Sequence, residues 1–97
     1  MKSETRAQPD RSAAEMLAID ALSFLAGNPE ALARFLALTG IGPADIRRAA
    51  TESSFLAGVL DYLLGDEPLL VAFASHAGIP ASRLATARRA LGRGAAQ

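Results

Sequence analysis

The chain has no cysteine and no tryptophan, a single histidine, and no excess of charge of either sign, with ten Lys and Arg against ten Asp and Glu. Each absence removes a class of function. Without cysteine there is no disulfide framework, no thiolate nucleophile and no cysteine-ligated zinc or iron–sulfur centre. One histidine excludes a multi-histidine metal site within the chain. Zero net charge takes away the bulk attraction to nucleic acid or to an anionic membrane. Long hydrophobic runs are missing too. The longest, Phe55–Leu60 with Gly58 counted in and Leu69–Ala74, span six residues, where a membrane helix needs about 20. The opening MKSETRAQPDRSAAE mixes both charges and carries no apolar segment behind its basic residue, unlike a secretory signal. These features read as a cytoplasmic protein that uses no membrane, no metal and no other cofactor.

β-branched residues are also scarce, ten in all, against 22 alanines and 14 leucines. Alanine and leucine lose little side-chain freedom in a helix, whereas strands favour valine, isoleucine and threonine. With 97 residues, 51% of them apolar, the chain suffices for one domain that buries roughly 65% of its unfolded surface. Turn residues then divide it. Ser12 with Glu15 has the capping-box spacing and opens a first helix that runs to Ala26 and stops at Gly27. Asn28 followed by Pro29 starts a second, which ends before Gly40. Gly42-Pro43 opens a short third helix to about Ala50. Ser53 or Ser54 caps a fourth, stopping at Gly65, and Asp66 caps a fifth, stopping at Gly78. Pro80 leads into a sixth that ends near Gly92. The expectation is an all-α bundle of about six short helices over residues 12–92, with disordered tails at 1–11 and 93–97.

On a helical projection, Phe55, Leu56, Val59, Leu60, Tyr62, Leu63 and Leu64 of the fourth helix cover an arc of roughly 200°. Leu69, Leu70, Val71, Phe73 and Ala74 of the fifth cover a similar one. Arcs this wide need neighbours on several sides, which places the fourth and fifth helices at the centre. A shift of 38 positions also superposes much of the chain on itself. Gly27 falls on Gly65, Gly40 on Gly78, Leu22 on Leu60, Leu25 on Leu63, Leu32 on Leu70, Phe35 on Phe73, Ile41 on Ile79 and Ala49 on Ala87. Phe24 with Tyr62 and Asn28 with Asp66 are softer matches. The identities fall on helix stops and inward positions, so the bundle reads as two related three-helix halves, 13–50 and 53–91.

Three features are candidates for function. The run LTGIGPADI, residues 38–46, resembles the helix-hairpin-helix family of sequence-independent DNA binders, in which hairpin N–H groups hold a phosphate. Gly40 and Gly42 sit at the glycine positions of that pattern. Asp45 lies where a phosphate would approach, however, and Ala44 stands where a basic residue is usual. The alternative is structural: Gly40 and Gly78 are left-handed helix stops, each followed by an isoleucine that packs back. Second, Arg47 and Arg48 on the third helix, with Arg83, Arg88, Arg89 and Arg93 on or after the sixth, would form one anion- or RNA-binding face if those helices were neighbours. Arginines near helix C-termini also complement the dipole, and no aromatic residues interleave with them as a stacking platform. Third, Met16 and Ile19 of the first helix fall among Glu15, Asp20 and Ser23, opposite the inward face of Leu17, Ala21, Phe24 and Leu25. Apolar residues there mark either a partner or homodimer surface, or a face covered by another part of the chain. His76 lies at the edge of an apolar arc and reads as a partly buried structural residue. No nucleophile–histidine–acid set or phosphate-binding glycine loop accompanies it, so no catalytic residue is named and no enzymatic activity is expected.

The run FLAGNPEALARFLALTGIGPADIRRAA, then FLAGVLDYLLGDEPLLVAFASHAGIP and the closing ARRAL, resembles a family of small alphaproteobacterial proteins known only as a domain of unknown function. The resemblance covers about residues 13–91. FLAG-NPE, LTGIGP and LLGDE at these spacings carry it. It implies a bacterial, cytoplasmic, all-helical protein and brings no activity, cofactor or site residue. The functional expectation is therefore a small non-enzymatic interaction module that binds another protein or itself. The alternative is weak nucleic-acid binding through residues 38–49 and the C-terminal arginines.

Overall fold

Capping chemistry sets where the chain turns. In the computed structural model, which describes residues 11–92, six α-helices follow one another: α1 Arg11–Ala26, α2 Pro29–Thr39, α3 Ile46–Ala49, α4 Ser53–Leu64, α5 Glu67–Ala77 and α6 Ser82–Ala90. A 3-10 turn over Pro43–Asp45 precedes α3, and there is no β-strand among the described residues. The tails expected at 1–11 and 93–97 lie outside the described residues, except for Arg11, the first residue of α1. The side chain of Asn28 accepts a hydrogen bond from the Ala31 amide at 3.3 Å, and Asp66 accepts one from Leu69 at 3.2 Å. Each satisfies an N–H that the first helical turn leaves without a partner. Gly40 (φ 75°) and Gly78 (φ 71°) end α2 and α5 in the left-handed region, which a side chain resists. At Gly78 the following Ile79 amide reaches back to the Ala74 carbonyl at 3.0 Å, the six-to-one bond of a Schellman stop. At Gly40 the Thr39 hydroxyl takes that place, donating to the Leu36 carbonyl and accepting from the Ile41 amide, both at 3.3 Å.

Two local expectations change. Ser12 does not cap α1, which already includes Arg11. Glu15 instead turns toward α4, lying 3.8 Å from Arg11 Nε and accepting a 3.3 Å hydrogen bond from the Ser53 hydroxyl. The serines do not cap α4 either. Glu52 holds the N-cap position in extended backbone, and the Ser53 hydroxyl accepts from Arg11 at 3.0 Å. An early cap is thus traded for a polar tie between two helices.

The helices share one core. α1 and α4 pack on each other, and α6 packs against both. The face that α1 turns inward is small, with Ala14, Ala18 and Ala21 buried beside Leu22 and Leu25. α4 buries Phe55, Leu56, Ala57, Val59, Leu60 and Leu63, and α6 adds Leu84 and Ala87. The centre is therefore α1, α4 and α6, with α5 at the flank burying only Phe73 and Ala74. Projection overstated α5 because it weighs the width of an apolar arc and not the closeness of approach. Alanines let helix axes come together, while Val71 of α5 stays 53% exposed.

α2 and α5 flank this centre and each reaches across it. Phe24 of α1 meets Phe73 of α5 with ring centroids 5.4 Å apart and planes at 60°. Tyr62 of α4 meets Phe35 of α2 at 5.3 Å and 56°. Exchanging each residue for the one 38 positions away turns the first pair into the second. A groove between α2 and α5 is lined by Asn28, Glu30, Ala31 and Arg34 on one side and by Asp66, Pro68, Leu69 and Ala72 on the other, again 38 apart. The third helices do not match. α3 is a four-residue turn packed mainly on the 3-10 segment before it, whereas α6 has nine residues and lies on α1 and α4.

Ala18 is fully buried. Ala18→Leu should lower the unfolding free energy measured in urea by about 1–3 kcal/mol through overpacking. The exposed Ala26→Leu should change it by less than about 0.5 kcal/mol.

Candidate functional site

Among the described residues no polar or charged side chain is buried, and no three His, Asp or Glu residues gather in a metal-binding group. The polar groups of the described residues therefore lie at or near the surface. The helix-hairpin-helix residues fall as follows. Gly40 is the left-handed stop of α2, and Gly42 is extended at φ −78° and ψ 153°, a conformation open to other residues. Asp45 lies in the 3-10 turn, and its carboxylate takes the Arg48 guanidinium at 2.7 Å. A Cβ added at Gly42 would meet that same carboxylate at 3.6 Å. Leu38, an apolar member of the pattern, is 72% exposed.

The arginines are spread over several elements. Arg47 and Arg48 are exposed on α3, the peripheral turn. Arg88 Nε lies 2.8 Å from the Asp61 carboxylate of α4, and its guanidinium also donates to the Gly92 carbonyl. Arg89 is exposed and donates to the Thr86 hydroxyl at 3.4 Å, while Arg83 is exposed without an ion pair among the described residues. Arg93 lies outside the described residues. Two of these guanidinium groups are thus engaged by carboxylates, and α3 and α6 have no extensive contact that would merge their charges.

Met16 and Ile19 are 66% and 42% exposed. They share one face of α1 with Asp20, Ser23 and Gly27, following the i, i+3, i+4, i+7 spacing of a helix surface, and all five are exposed. At its far end this face runs into an open cleft of about 720 Å³. Asp20, Ser23, Phe24 and Gly27 form the α1 wall, Phe73, His76 and Ala77 the α5 wall, and Asn28 and Pro29 the entrance to α2. The cleft lies within the common size range of ligand pockets, about 300–1,000 Å³. His76 is exposed, not partly buried, and its ring stands 5.4 Å from that of Phe24. The aromatic contact across the helix ends holds it there.

The sequence names Met16 and Ile19 and their neighbours Asp20 and Ser23, but not the cleft. Its walls come from helix ends about fifty residues apart in the chain. The one signal in the sequence was the 38-residue offset, which pairs Phe24 with Tyr62 but not which helix each ring would meet.

The model of the family described as "Protein of unknown function (DUF3572)" matches residues 11–94. The chain belongs to that family. No curated protein and no solved structure matches it. The matched span takes in every described helix, the α1 face and the cleft, so these are parts of the family's domain. No helix among the described residues is long and apolar enough to cross a membrane.

Because Met16 and Ile19 point to solvent, the double substitution Met16→Glu with Ile19→Glu should leave the far-ultraviolet circular dichroism and the unfolding midpoint nearly unchanged. Leu17→Glu, on the side packed against the core, should lower that midpoint sharply, since it places a carboxylate against apolar surface.

Proposed function

We propose that this protein is a non-enzymatic interaction module that works in the cytoplasm and binds another protein through the α1 face carrying Met16 and Ile19. The observation that supports this reading is the two-sidedness of α1. Five of its residues are buried in the core, yet Met16 and Ile19 stand together on the opposite side, 66% and 42% exposed. Isolated exposed apolar residues are ordinary, but a pair on one helix face beside an open cleft has the character of a binding surface. A second copy of the chain is the homodimeric version of the same proposal.

Backbone-directed nucleic-acid binding is the second reading, and the exposure of Arg47, Arg83 and Arg89 speaks for it. The carboxylates of Asp45 and Asp61 on Arg48 and Arg88 weigh against it. The two respond differently to salt: contacts to Z phosphates give a slope of about −0.9Z in log K against log salt, while an apolar interface scarcely responds. We also propose that 13–50 and 53–91 descend from one unit. The matching caps, glycine stops and crossed aromatic pairs support this.

The test is affinity capture of the tagged chain from host lysate, with and without nuclease. The expected result is a stoichiometric protein partner, or the chain itself, that survives nuclease and is lost with Met16→Glu and Ile19→Glu. Partners present only without nuclease, and retained by that variant, would transfer the assignment to Gly40–Arg48 and the α6 arginines.

A further inference from the structure

The one carboxylate lining the cleft at the end of α1 is Asp20, with His76 as the other titratable side chain of its walls. Between Arg11 and Arg34 the chain carries Glu15, Asp20 and Glu30 and no lysine or arginine. Glu15 is engaged by Arg11 and Ser53, and Glu30 lies 3.7 Å from Arg34. Asp20, in the cleft wall, is exposed and has neither an ion pair nor a hydrogen bond among the described residues. The backbone adds to this charge. α1 and α5 both deliver their C-terminal ends to the cleft, and a helix C-terminus carries partial negative charge. The opposing N-terminus of α2 contributes little, because the Asn28 side chain already accepts from the Ala31 amide and Pro29 has no N–H. A cation has the Asp20 carboxylate and the C-terminal ends of two helices.

The rest of the α1 face shows how such a cation would arrive. From Met16 to Gly27 the exposed stripe is about 16 Å long, with its apolar pair at one end and Asp20 leading into the cleft. That length matches about three turns of a helix. The fold already makes one carboxylate–guanidinium contact between helices, Arg88 of α6 on the exposed Asp61 of α4 at 2.8 Å.

We infer that the cleft receives the lysine or arginine side chain of a peptide segment from a partner protein, whose apolar residues lie over Met16 and Ile19. This rests on the proposed interaction function and adds the chemistry of the partner. Carboxylate and helix ends select for positive charge, and the apolar pair supplies area without discrimination.

The full chain is panned against a displayed library of random twelve-residue peptides, and recovered peptides are synthesised and titrated by fluorescence anisotropy. Enriched peptides should carry a lysine or arginine beside apolar residues. Asp20→Asn should weaken them at least about tenfold, and Asp20→Lys should abolish binding. Replacing the peptide's basic residue by glutamate should restore binding to the Asp20→Lys protein, which simple loss of fold cannot imitate. Amide resonances of Ser23, Gly27 and Ala77 should shift on titration. Peptides lost with Met16→Glu and Ile19→Glu but indifferent to Asp20→Lys would overturn the cation site and leave the interaction face standing. No enrichment over the Met16→Glu/Ile19→Glu protein would overturn both. Saturable binding of L-arginine amide at these resonances without any enriched peptide would overturn the peptide assignment.

Discussion

Close approach along the alanine face of α1 is the constraint on which the bundle depends. Ala14, Ala18 and Ala21 present almost no side chain between this helix and its neighbours, so α4 and α6 settle near the α1 backbone. The large side chains that fill the remaining space come mostly from α4, α6 and the flanking helices, with Leu60, Leu63, Leu84, Phe35 and Phe73 nearly or fully excluded from solvent. A larger residue on that α1 face would push out α6 and with it the Arg88–Asp61 contact. Because no polar side chain is buried among the described residues, cohesion is left to dispersion and apolar burial, about 1.5–3 kcal/mol for each large side chain.

That constraint also gives α1 its second face. A helix whose inward side consists of small residues is held from one direction only, and the opposite side is free to carry Met16, Ile19 and Asp20 toward solvent. The cleft arises from the same geometry. α5 reaches across to α1 through Phe73 and His76, both against Phe24, and the space beside these contacts, where the two helices end, is left open.

The sequence shows most of the fold, and unevenly. Asn28, Asp66, Gly40 and Gly78 have the structural roles their chemistry predicts, because capping and left-handed backbone are properties of a few adjacent residues. Ser12 does not, because α1 already includes Arg11, and Ser53 does not, because its hydroxyl joins Arg11 and Glu15 of α1 to α4. A projection ranks α5 above α1 for a related reason. Apolar width is visible in a projection, whereas the advantage of alanine appears only when a second helix lies on top of it. The site was half visible. Met16 and Ile19 stand out as apolar residues on a polar face, but His76 and Phe73 join them through a tertiary contact with no local signature.

The crossed pairing of aromatic rings carries one more consequence. Phe24 rests on Phe73 and Phe35 on Tyr62, so each half lends its inner ring to the other, as clasped hands do. Neither half completes its own hydrophobic contacts. A proteolytic cut at the exposed Thr51–Glu52 link would release two pieces, each with an unfilled aromatic position and neither able to stay folded alone. Mixed together, they would recover the lost contacts only by finding one another, which makes this small protein a natural candidate for reassembly from two fragments.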